Sequence, residues 1–270
     1  MKGRVLIIAG SDSGGGAGIQ ADIKAVTALN GFAMTAITAL TAQNTQGVFG
    51  VHPVPLDFLR QQIEVVMGDL GADVIKTGML GDSATIGAVC DALADFAPKV
   101  PLVLDPVMVA KGGHHLLATE AVASLRQRLL PRAMVITPNL PEAEALTGMP
   151  INSVEDMRVA ARALLLLGVP AVLLKGGHLA GDELTDLLAT ADGIEAFTAP
   201  RIQTRHTHGT GCTTASAVAA GLAQGLGLRD AVIRARAYVR LAIASAPGFG
   251  SGHGPLDHAV TFSADRLTPT

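Results

Sequence analysis

The sequence predicts an α/β protein with a mostly parallel β-sheet covered by helices on both faces. Short apolar runs alternate along the chain with longer segments of helical period, as in successive βαβ units. The apolar runs cover residues 5–9, 33–40, 73–77, 102–104, 134–137 and 171–174. The helices between and after them are predicted at residues 17–29, 56–70, 83–96, 119–130, 141–146 and 154–167.

The pattern changes near residue 182. Two shorter runs, residues 184–188 and 195–198, are separated by Ala191-Asp192-Gly193 and predict a small antiparallel hairpin at one edge of the sheet. Two further helices are expected at residues 212–224 and 229–244. Because no linker or shift in composition interrupts the chain, we expect residues 1–270 to form a single domain.

Composition narrows the class of protein. The 270 residues are 49% hydrophobic and 16% charged, which is typical of a well-packed globular chain. The net charge of −3 gives no electrostatic argument for nucleic acid or an anionic membrane as a partner. The two cysteines are too few for a disulfide framework, and no run approaches the roughly 20 apolar residues of a membrane helix. We therefore expect a cytoplasmic protein that acts on small molecules.

One segment has the features of an anion-binding loop. His206-Thr207-His208-Gly209-Thr210-Gly211-Cys212 leads directly into a predicted helix. Its glycines permit a tight turn, and the helix adds unpaired amides and the positive end of its dipole. It is not a P-loop, because after the second glycine the residues are Cys212 and Thr213, and Cys212 stands where that motif needs Lys. An ordinary turn between a strand and a helix is the alternative.

Polar residues follow nearly every predicted parallel strand. In an open parallel sheet the carboxyl ends of the strands meet along one edge, where ligands bind. We therefore expect a ligand site at this edge. Its candidate side chains, in chain order, are Asp12, Gln43, Lys76, Asp105, Asn139 and Lys175.

The same edge suggests phosphoryl transfer. That reaction needs a cation near the transferred phosphate, oxygen ligands for Mg²⁺ and hydrogen-bond donors where charge develops. Lys175 and the amides of residues 209–212 supply the cation and the donors. Asn139 and Glu142 are placed to reach one hydrated Mg²⁺. The alternatives are an ordinary capping box for this pair and a strand-end lysine that reaches solvent.

Seven blocks of sequence carry a specific resemblance. Among them are Lys76-Thr77-Gly78-Met79-Leu80, Leu104-Asp105-Pro106-Val107-Met108 and the anion-binding loop. The chain resembles the bacterial hydroxymethylpyrimidine/phosphomethylpyrimidine kinases of thiamine biosynthesis, which belong to the ribokinase-like superfamily. This resemblance implies a three-layer α/β/α sandwich and a homodimer. The blocks cover residues 9–22, 41–45, 76–80, 104–108, 137–142, 174–178 and 207–212.

The resemblance also implies the substrates and the residues that hold them. An ATP- and Mg²⁺-dependent enzyme would phosphorylate 4-amino-5-hydroxymethyl-2-methylpyrimidine and then its monophosphate. Gln43 would hydrogen-bond the aminopyrimidine and Met79 would pack on its ring. The remaining residues of the implied substrate pocket are Gly10, Asp22 and Val107.

For ATP the implied set is Asp105, Asn139, Lys175, Thr207, Gly209 and Gly211. Catalysis would depend on Lys175 and on the anion hole, which is formed by Gly209, Thr210, Gly211 and Cys212. Mg²⁺ would be held, through water, by Asn139 and Glu142. Two alternatives remain: a pyridoxal or pyridoxine kinase of the same superfamily, and a non-catalytic sensor of pyrimidines or nucleotides.

Cys212 carries a further hypothesis. A hydroxymethyl acceptor needs its proton removed, whereas a phosphomonoester has a second pKa near ~6 and needs no base. A carboxylate beside that dianion would repel it. We expect the helix N-terminus to lower the pKa of Cys212, so that the thiol serves as thiolate for the first acceptor and neutral group for the second.

Two further loops have expected roles near the site. His208 is expected to orient the anion-binding loop rather than bind a metal. The segment Lys111-Gly112-Gly113 is expected to cover the substrate, with a plain surface loop as the alternative.

Overall fold

Nine strands form one sheet in the computed structural model, which describes residues 2–108 and 120–262. In chain order they are β1 (Arg4–Asp12), β2 (Phe32–Gln43), β3 (Val48–Pro53), β4 (Val74–Thr77), β5 (Leu102–Leu104), β6 (Val135–Ile136), β7 (Ala171–Leu174), β8 (Glu183–Thr190) and β9 (Gly193–Pro200). Their order across the sheet is β3-β2-β1-β4-β5-β6-β7-β8-β9.

The helices lie close to their predicted positions. They are α1 (Gly18–Ala28), α2 (Leu56–Asp69), α3 (Ser83–Phe96), α4 (Ala121–Ser124), α5 (Leu140–Thr147), α6 (Val154–Leu165), α7 (Thr210–Ala223) and α8 (Leu228–Ala244). The helix predicted at residues 119–130 is described only from residue 120 onward. There α4 widens into a π-helical segment, Leu125–Leu129, and ends in a 3₁₀ turn, Leu130–Arg132. None of the described helices combines the length and apolar character that a membrane crossing requires.

The sheet is parallel from β2 to β7 and antiparallel at both edges. The hairpin of β8 and β9 forms one edge, as predicted. At the other edge β3 pairs antiparallel with β2, and this strand is absent from the sequence prediction. Phe49 is 71% exposed and Val51 44% exposed. Because β3 buries neither face, it has no apolar pattern by which to recognise it.

Helices cover both faces of the sheet, in agreement with the predicted fold class. Along β1, Leu6 and Ile8 point into one core and Val5 and Ile7 into the other, the two-residue period of a strand. The first core includes buried side chains of α2, α3, α5 and α6. The second includes those of α1, α7 and α8. Burial on both faces explains why the central strands read as continuous apolar runs.

The parallel strands bring their carboxyl ends to one edge of the sheet. The loops after β1, β4, β5, β6 and β7 therefore lie side by side. Helix α7 packs against α1, β1, β4 and β5, so its N-terminus faces the same edge. This arrangement places the anion-binding loop opposite the polar ends of the strands.

Candidate active site

A cavity of about 820 Å³ opens along this edge of the sheet. Its wall is formed by the loops that follow the parallel strands and by the N-terminal end of α7. Asp22 and Lys76 lie outside this wall, whereas the other site residues that the resemblance implies line it. They are Gly10, Gln43, Met79, Asp105, Val107, Asn139, Glu142, Lys175, Thr207, Gly209, Thr210, Gly211 and Cys212.

Asp22 lies outside the cavity wall, contrary to the substrate-binding role expected for it. Its carboxylate accepts two hydrogen bonds from Lys76 Nζ, both at 2.9 Å, and one from Ser216 Oγ at 2.7 Å. Neither charged side chain has any exposed surface. A lysine in the interior of a buried strand needs a buried acid, and Asp22 on the inner face of α1 meets that need. The sequence held a sign of this pair, because Lys76 lies within the apolar run at residues 73–77 and a buried lysine needs a buried acid.

The anion-binding loop takes the conformation that its glycines permit. Gly209 is the N-cap of α7 and has the left-handed angles φ 82° and ψ 4°. A Cβ at this position would collide with the carbonyl oxygen of Gly16. The amides of Gly211 and Cys212 belong to the first turn of α7, where N–H groups have no helical carbonyl to bond. The loop is therefore built to donate hydrogen bonds to an anion in the cavity.

Cys212 is a neutral thiol at this site. Burial is the largest influence and raises its pKa to about 12, while Lys76 acts in the opposite direction. The negative charges of Asp22 and Asp105 add to the rise, and the backbone amide of Gly18 lowers it. The expected thiolate was wrong because removal of the sulfur from water outweighs the nearby cation and the first turn of α7.

Lys175 does not reach out to solvent, which excludes the plain strand-end alternative. Its side chain is 15% exposed, and Nζ donates to Asp105 Oδ1 at 3.2 Å. Thr137 Oγ1 donates to the same oxygen at 2.9 Å. Burial disfavours the ammonium ion, but Asp105 and Glu142 outweigh this effect and raise the pKa of Lys175. The site therefore holds a permanent cation beside the anion-binding loop.

Asn139 and Glu142 form the capping box that was the alternative to a metal pair. Asn139 Oδ1 accepts from the Glu142 amide at 2.9 Å, and Glu142 Oε2 accepts from the Asn139 amide at 2.8 Å. Burial raises the pKa of Glu142 to about 7, although Lys175 lowers it. Both residues nevertheless line the cavity, so capping α5 and facing a ligand are compatible.

His208 orients the anion-binding loop, as expected, but its partner, Asp12, was not predicted. Its Nε2 lies 2.9 Å from Asp12 Oδ2. The Asp12 carboxylate also accepts from the amides of Gly14, Gly16 and Ala17 at 2.8, 3.1 and 2.8 Å. The pair thus fastens the glycine-rich loop after β1 to the anion-binding loop. The signal available in the sequence was the position of Asp12 at a strand end.

The far end of the cavity is a second region that the sequence did not reveal. Its wall comes from the β8–β9 hairpin, the segment after β9 and α8. Arg236 lies here, with Nε 2.8 Å from Asp186 Oδ2 and its guanidinium over the ring of Phe197. Apolar side chains complete the wall, namely Leu184, Ile202, Val239 and Ile243. The segment Lys111-Gly112-Gly113 lies outside the described residues.

Comparison with known proteins gives relatives over nearly the whole chain. The family model described as phosphomethylpyrimidine kinase matches residues 12–257. The hydroxymethylpyrimidine/phosphomethylpyrimidine kinase of Bacillus subtilis is 50% identical over 256 residues, which cover 94% of each chain. The thiamine biosynthesis bifunctional protein ThiED of Geobacter sulfurreducens is 51% identical over 259 residues, or 96% of this chain. The chain spans 53% of that bifunctional relative.

Solved structures share the fold. A Bacillus subtilis pyridoxal kinase in complex with ADP superposes with a TM-score of 0.89 at 37% identity, covering 96% of this chain and 98% of that one. The phosphomethylpyrimidine kinase of Clostridium difficile 630 has a TM-score of 0.80 at 41% identity, covering 90% of this chain and all of that one. The matched model and the relatives confirm the resemblance seen in the sequence. The chain belongs to the phosphomethylpyrimidine kinase family.

Proposed function

We propose that the protein transfers the γ-phosphate of ATP to 4-amino-5-hydroxymethyl-2-methylpyrimidine and then to the resulting monophosphate. One observation carries this proposal. A single cavity joins Gln43 and Met79, which suit a heterocycle, to Lys175 and the amides of the anion-binding loop, which suit phosphates. The proposal therefore places both acceptors and the nucleotide between the same walls.

The first step forms a bond between the hydroxymethyl oxygen and the γ-phosphorus. The bond from that phosphorus to the bridging oxygen of ADP breaks, and ADP leaves with its electron pair. The amides of Gly211 and Cys212 and the ammonium of Lys175 stabilise the charge on the transferred group. In a loose transition state the acceptor needs little help from a base, so its proton leaves late, to phosphate oxygen or water.

In the second step the acceptor is the phosphate that was just installed. Its oxygen is already charged near neutral pH and has no proton to lose. A neutral Cys212 thiol, with a pKa raised to about 12 by burial, adds no repulsion beside that dianion. A single anion hole can therefore serve both acceptors.

The donors at the site fit a hydrated Mg²⁺ ion that is shared with phosphate groups. Asp105 and Glu142 offer the hard carboxylate oxygens that Mg²⁺ prefers, and Asn139 lies beside them. Residues 2–108 and 120–262 contain no cluster of three His, Cys, Asp or Glu side chains that would enclose a metal. When bound, the ion would neutralise charge on the β- and γ-phosphate oxygens.

A ³¹P NMR time course tests the proposed reaction. Hydroxymethylpyrimidine and Mg-ATP are mixed with the protein, and the expected result is a monoester signal followed by a diphosphate. A parallel reaction with pyridoxal tests the pyridoxal kinase alternative, which the superposition on a pyridoxal kinase keeps relevant. Phosphorylation of pyridoxal alone would contradict our proposal. Absence of ADP release with either acceptor at saturation would favour the sensor alternative.

We also propose that residues 1–270 act as one cytoplasmic domain that pairs with a second copy. Strand β3 and helix α2 expose large apolar side chains that a partner would cover. Phe49, Phe58 and Val65 are 71%, 54% and 58% exposed. Light scattering after size exclusion should give twice the mass of the chain, and Phe49→Asp should reduce it to that of a monomer. A monomeric wild type would contradict the pairing.

A further inference from the structure

One side chain holds the loop between β7 and β8, which comprises residues 175–182. Arg201 follows the last residue of β9, and its guanidinium lies against this β7–β8 loop. Nε donates to the carbonyl of Gly181 at 2.7 Å, Nη1 to that of Gly177 at 2.9 Å and Nη2 to that of Leu179 at 2.6 Å. Three carbonyls of a single loop therefore share one cation.

From residue 176 to residue 182 the β7–β8 loop has no regular secondary structure of its own. It begins at a fixed point, because the Gly176 amide donates to Asp186 Oδ1 at 3.0 Å. Leu179 packs on the first core, but Gly177 and Gly181 carry no side chain that could pack. The backbone on either side of Leu179 therefore depends on the hydrogen bonds from the guanidinium.

The β7–β8 loop runs along the cavity wall. Lys175, at its start, lies beside the anion-binding loop, at what we call the phosphate end of the cavity. Leu184, two residues after the loop, belongs to the apolar far end. Gly177 and His178 line the cavity between these two points, as does Arg201 itself. The loop is therefore the stretch of wall that connects the phosphate end with the far end.

The acceptor side of the cavity lies in the opposite direction. Gln43 and Met79 follow β2 and β4, whereas Lys175 follows β7, three strands beyond β4 in the sheet. A nucleotide whose terminal phosphate meets the anion-binding loop, with the acceptor beyond that phosphate, must extend away from the acceptor. Its path then follows the β7–β8 loop.

We propose that Arg201 is a positioning residue for the nucleotide, because it holds the β7–β8 loop in the conformation that receives ATP. A protein whose binding-competent conformation is only partly populated binds its ligand more weakly by that fraction. Without the guanidinium the loop carbonyls lose their shared donor, and the competent conformation is populated less. The proposal rests on the function proposed above, because it takes ATP as the phosphate donor.

Arg201→Met tests the proposal with a side chain of similar length that has no donor. We expect KM for ATP and Kd for Mg-ADP to rise about tenfold, and kcat to change less than about threefold. The chemical step is spared because the Lys175 amide keeps its bond to the Pro138 carbonyl, and Lys175 Nζ its bond to Asp105. Coupled ADP release measures the kinetic constants, and isothermal titration calorimetry measures Kd.

Arg201→Lys separates the position of the loop from the charge of the side chain. It keeps a positive charge, but one nitrogen on a flexible stem does not reproduce a planar fork that bonds three carbonyls. Its Kd for Mg-ADP should lie within about threefold of that of Arg201→Met. Wild-type affinity in Arg201→Lys would show that charge alone attracts the nucleotide and would overturn the proposal.

The matched control is Arg229→Met. Arg229 pairs with Glu195 of the same β8–β9 hairpin, and both of these side chains lie outside the cavity wall. The variant therefore removes an arginine from the hairpin without touching the β7–β8 loop. It should leave Kd for Mg-ADP unchanged. A loss equal to that of Arg201→Met would assign the effect to the hairpin and overturn the proposal.

Hydrogen exchange measured by mass spectrometry gives a readout that needs no catalysis. Mg-ADP should slow exchange in residues 175–182 of the wild-type protein. Without nucleotide, Arg201→Met should exchange faster than the wild type in this loop and equally fast in β1, which reports an intact core. If that variant does not fold, the wild type and Arg201→Lys still provide the comparison. Unchanged exchange of the wild-type loop on binding Mg-ADP would overturn the proposal.

Failure of this proposal differs from failure of the proposed function. If hydroxymethylpyrimidine is not phosphorylated while Mg-ADP binds as described, the acceptor is wrong and the role of Arg201 stands. Equal affinity for Mg-ADP in the wild type and Arg201→Met overturns the role of Arg201 and leaves the proposed reaction intact.

Discussion

Lys76 and Asp22 form an ion pair with no exposed surface, directly behind the thiol of Cys212. Lys76 Nζ lies 2.9 Å from both oxygens of the carboxylate, and Ser216 Oγ adds a third hydrogen bond. Cys212 and Ser216 stand one turn apart on α7, so the pair supports the same turn that carries the anion hole. The ion pair and its hydrogen bond to Ser216 therefore connect three elements, α1, β4 and α7.

Loss of either partner should destabilise the protein strongly. We expect Asp22→Asn to lower the free energy of unfolding by about 3–5 kcal/mol, because the buried ammonium loses its counterion. Urea unfolding followed by circular dichroism measures this change. The double variant Asp22→Leu with Lys76→Met removes both charges and should recover most of the stability. A single variant as stable as the wild type would show that the pair is dispensable.

Gly209→Ala should abolish activity while the fold survives. The Cβ of the new alanine would collide with the carbonyl oxygen of Gly16, so the loop has to move and its amides no longer point into the cavity. Gly148→Ala is the matched control, because Gly148 also has a left-handed φ, of 74°, with open space around its Cβ position. Gly148→Ala should lose about 1 kcal/mol from backbone strain, and Gly209→Ala should lose more because its Cβ also collides with the Gly16 backbone. Only Gly209→Ala should lower kcat by 100-fold or more, measured by coupled ADP release.

Glu142 should make stability depend on pH in the acid range. Burial raises its pKa from an ordinary 4.5 to about 7, so the folded protein binds more protons than the unfolded chain between these values. Its contribution to the free energy of unfolding is therefore full below pH 4.5 and is lost as the pH rises to about 7. Urea unfolding at pH 5 and pH 7.5 measures the difference.

Glu142→Gln should remove that contribution, since an amide does not titrate. Glu155→Gln is the control, because the Glu155 side chain is 74% exposed. An unchanged pH dependence in Glu142→Gln would assign the effect to another group.

Cys212→Asp should separate the two phosphorylation steps. An added carboxylate would lie beside Asp105 and Asp22 and would repel the monophosphate dianion. We expect the second step to slow by at least tenfold more than the first, in separate assays with each acceptor. Cys212→Ser keeps a small neutral group and should preserve the ratio of the two steps. The inference that a neutral group at position 212 suits both acceptors fails if Cys212→Asp keeps the monophosphate rate and improves the hydroxymethyl step.

Local patterns were sufficient for most of the fold. The buried strands β1, β4, β5 and β7 appear as apolar runs because both of their faces are covered, and this does not depend on distant residues. The capping pair Asn139 and Glu142 was equally visible, since it is local to one helix end. Strand β3 was not, because exposure on both faces leaves no pattern.

The sequence by itself determined which residue types meet at the carboxyl edge of the sheet, since parallel strands bring their ends together in any such fold. Tertiary structure alone decided which of them face the cavity and what charge they carry. Asp22 pairs with Lys76 outside the cavity wall, and burial keeps the Cys212 thiol neutral. Solvation and charge pairing depend on atoms that are distant in the chain. Asp22 and Ser216, for example, are hydrogen-bonded although they lie 194 residues apart in the sequence. No local pattern encodes that environment.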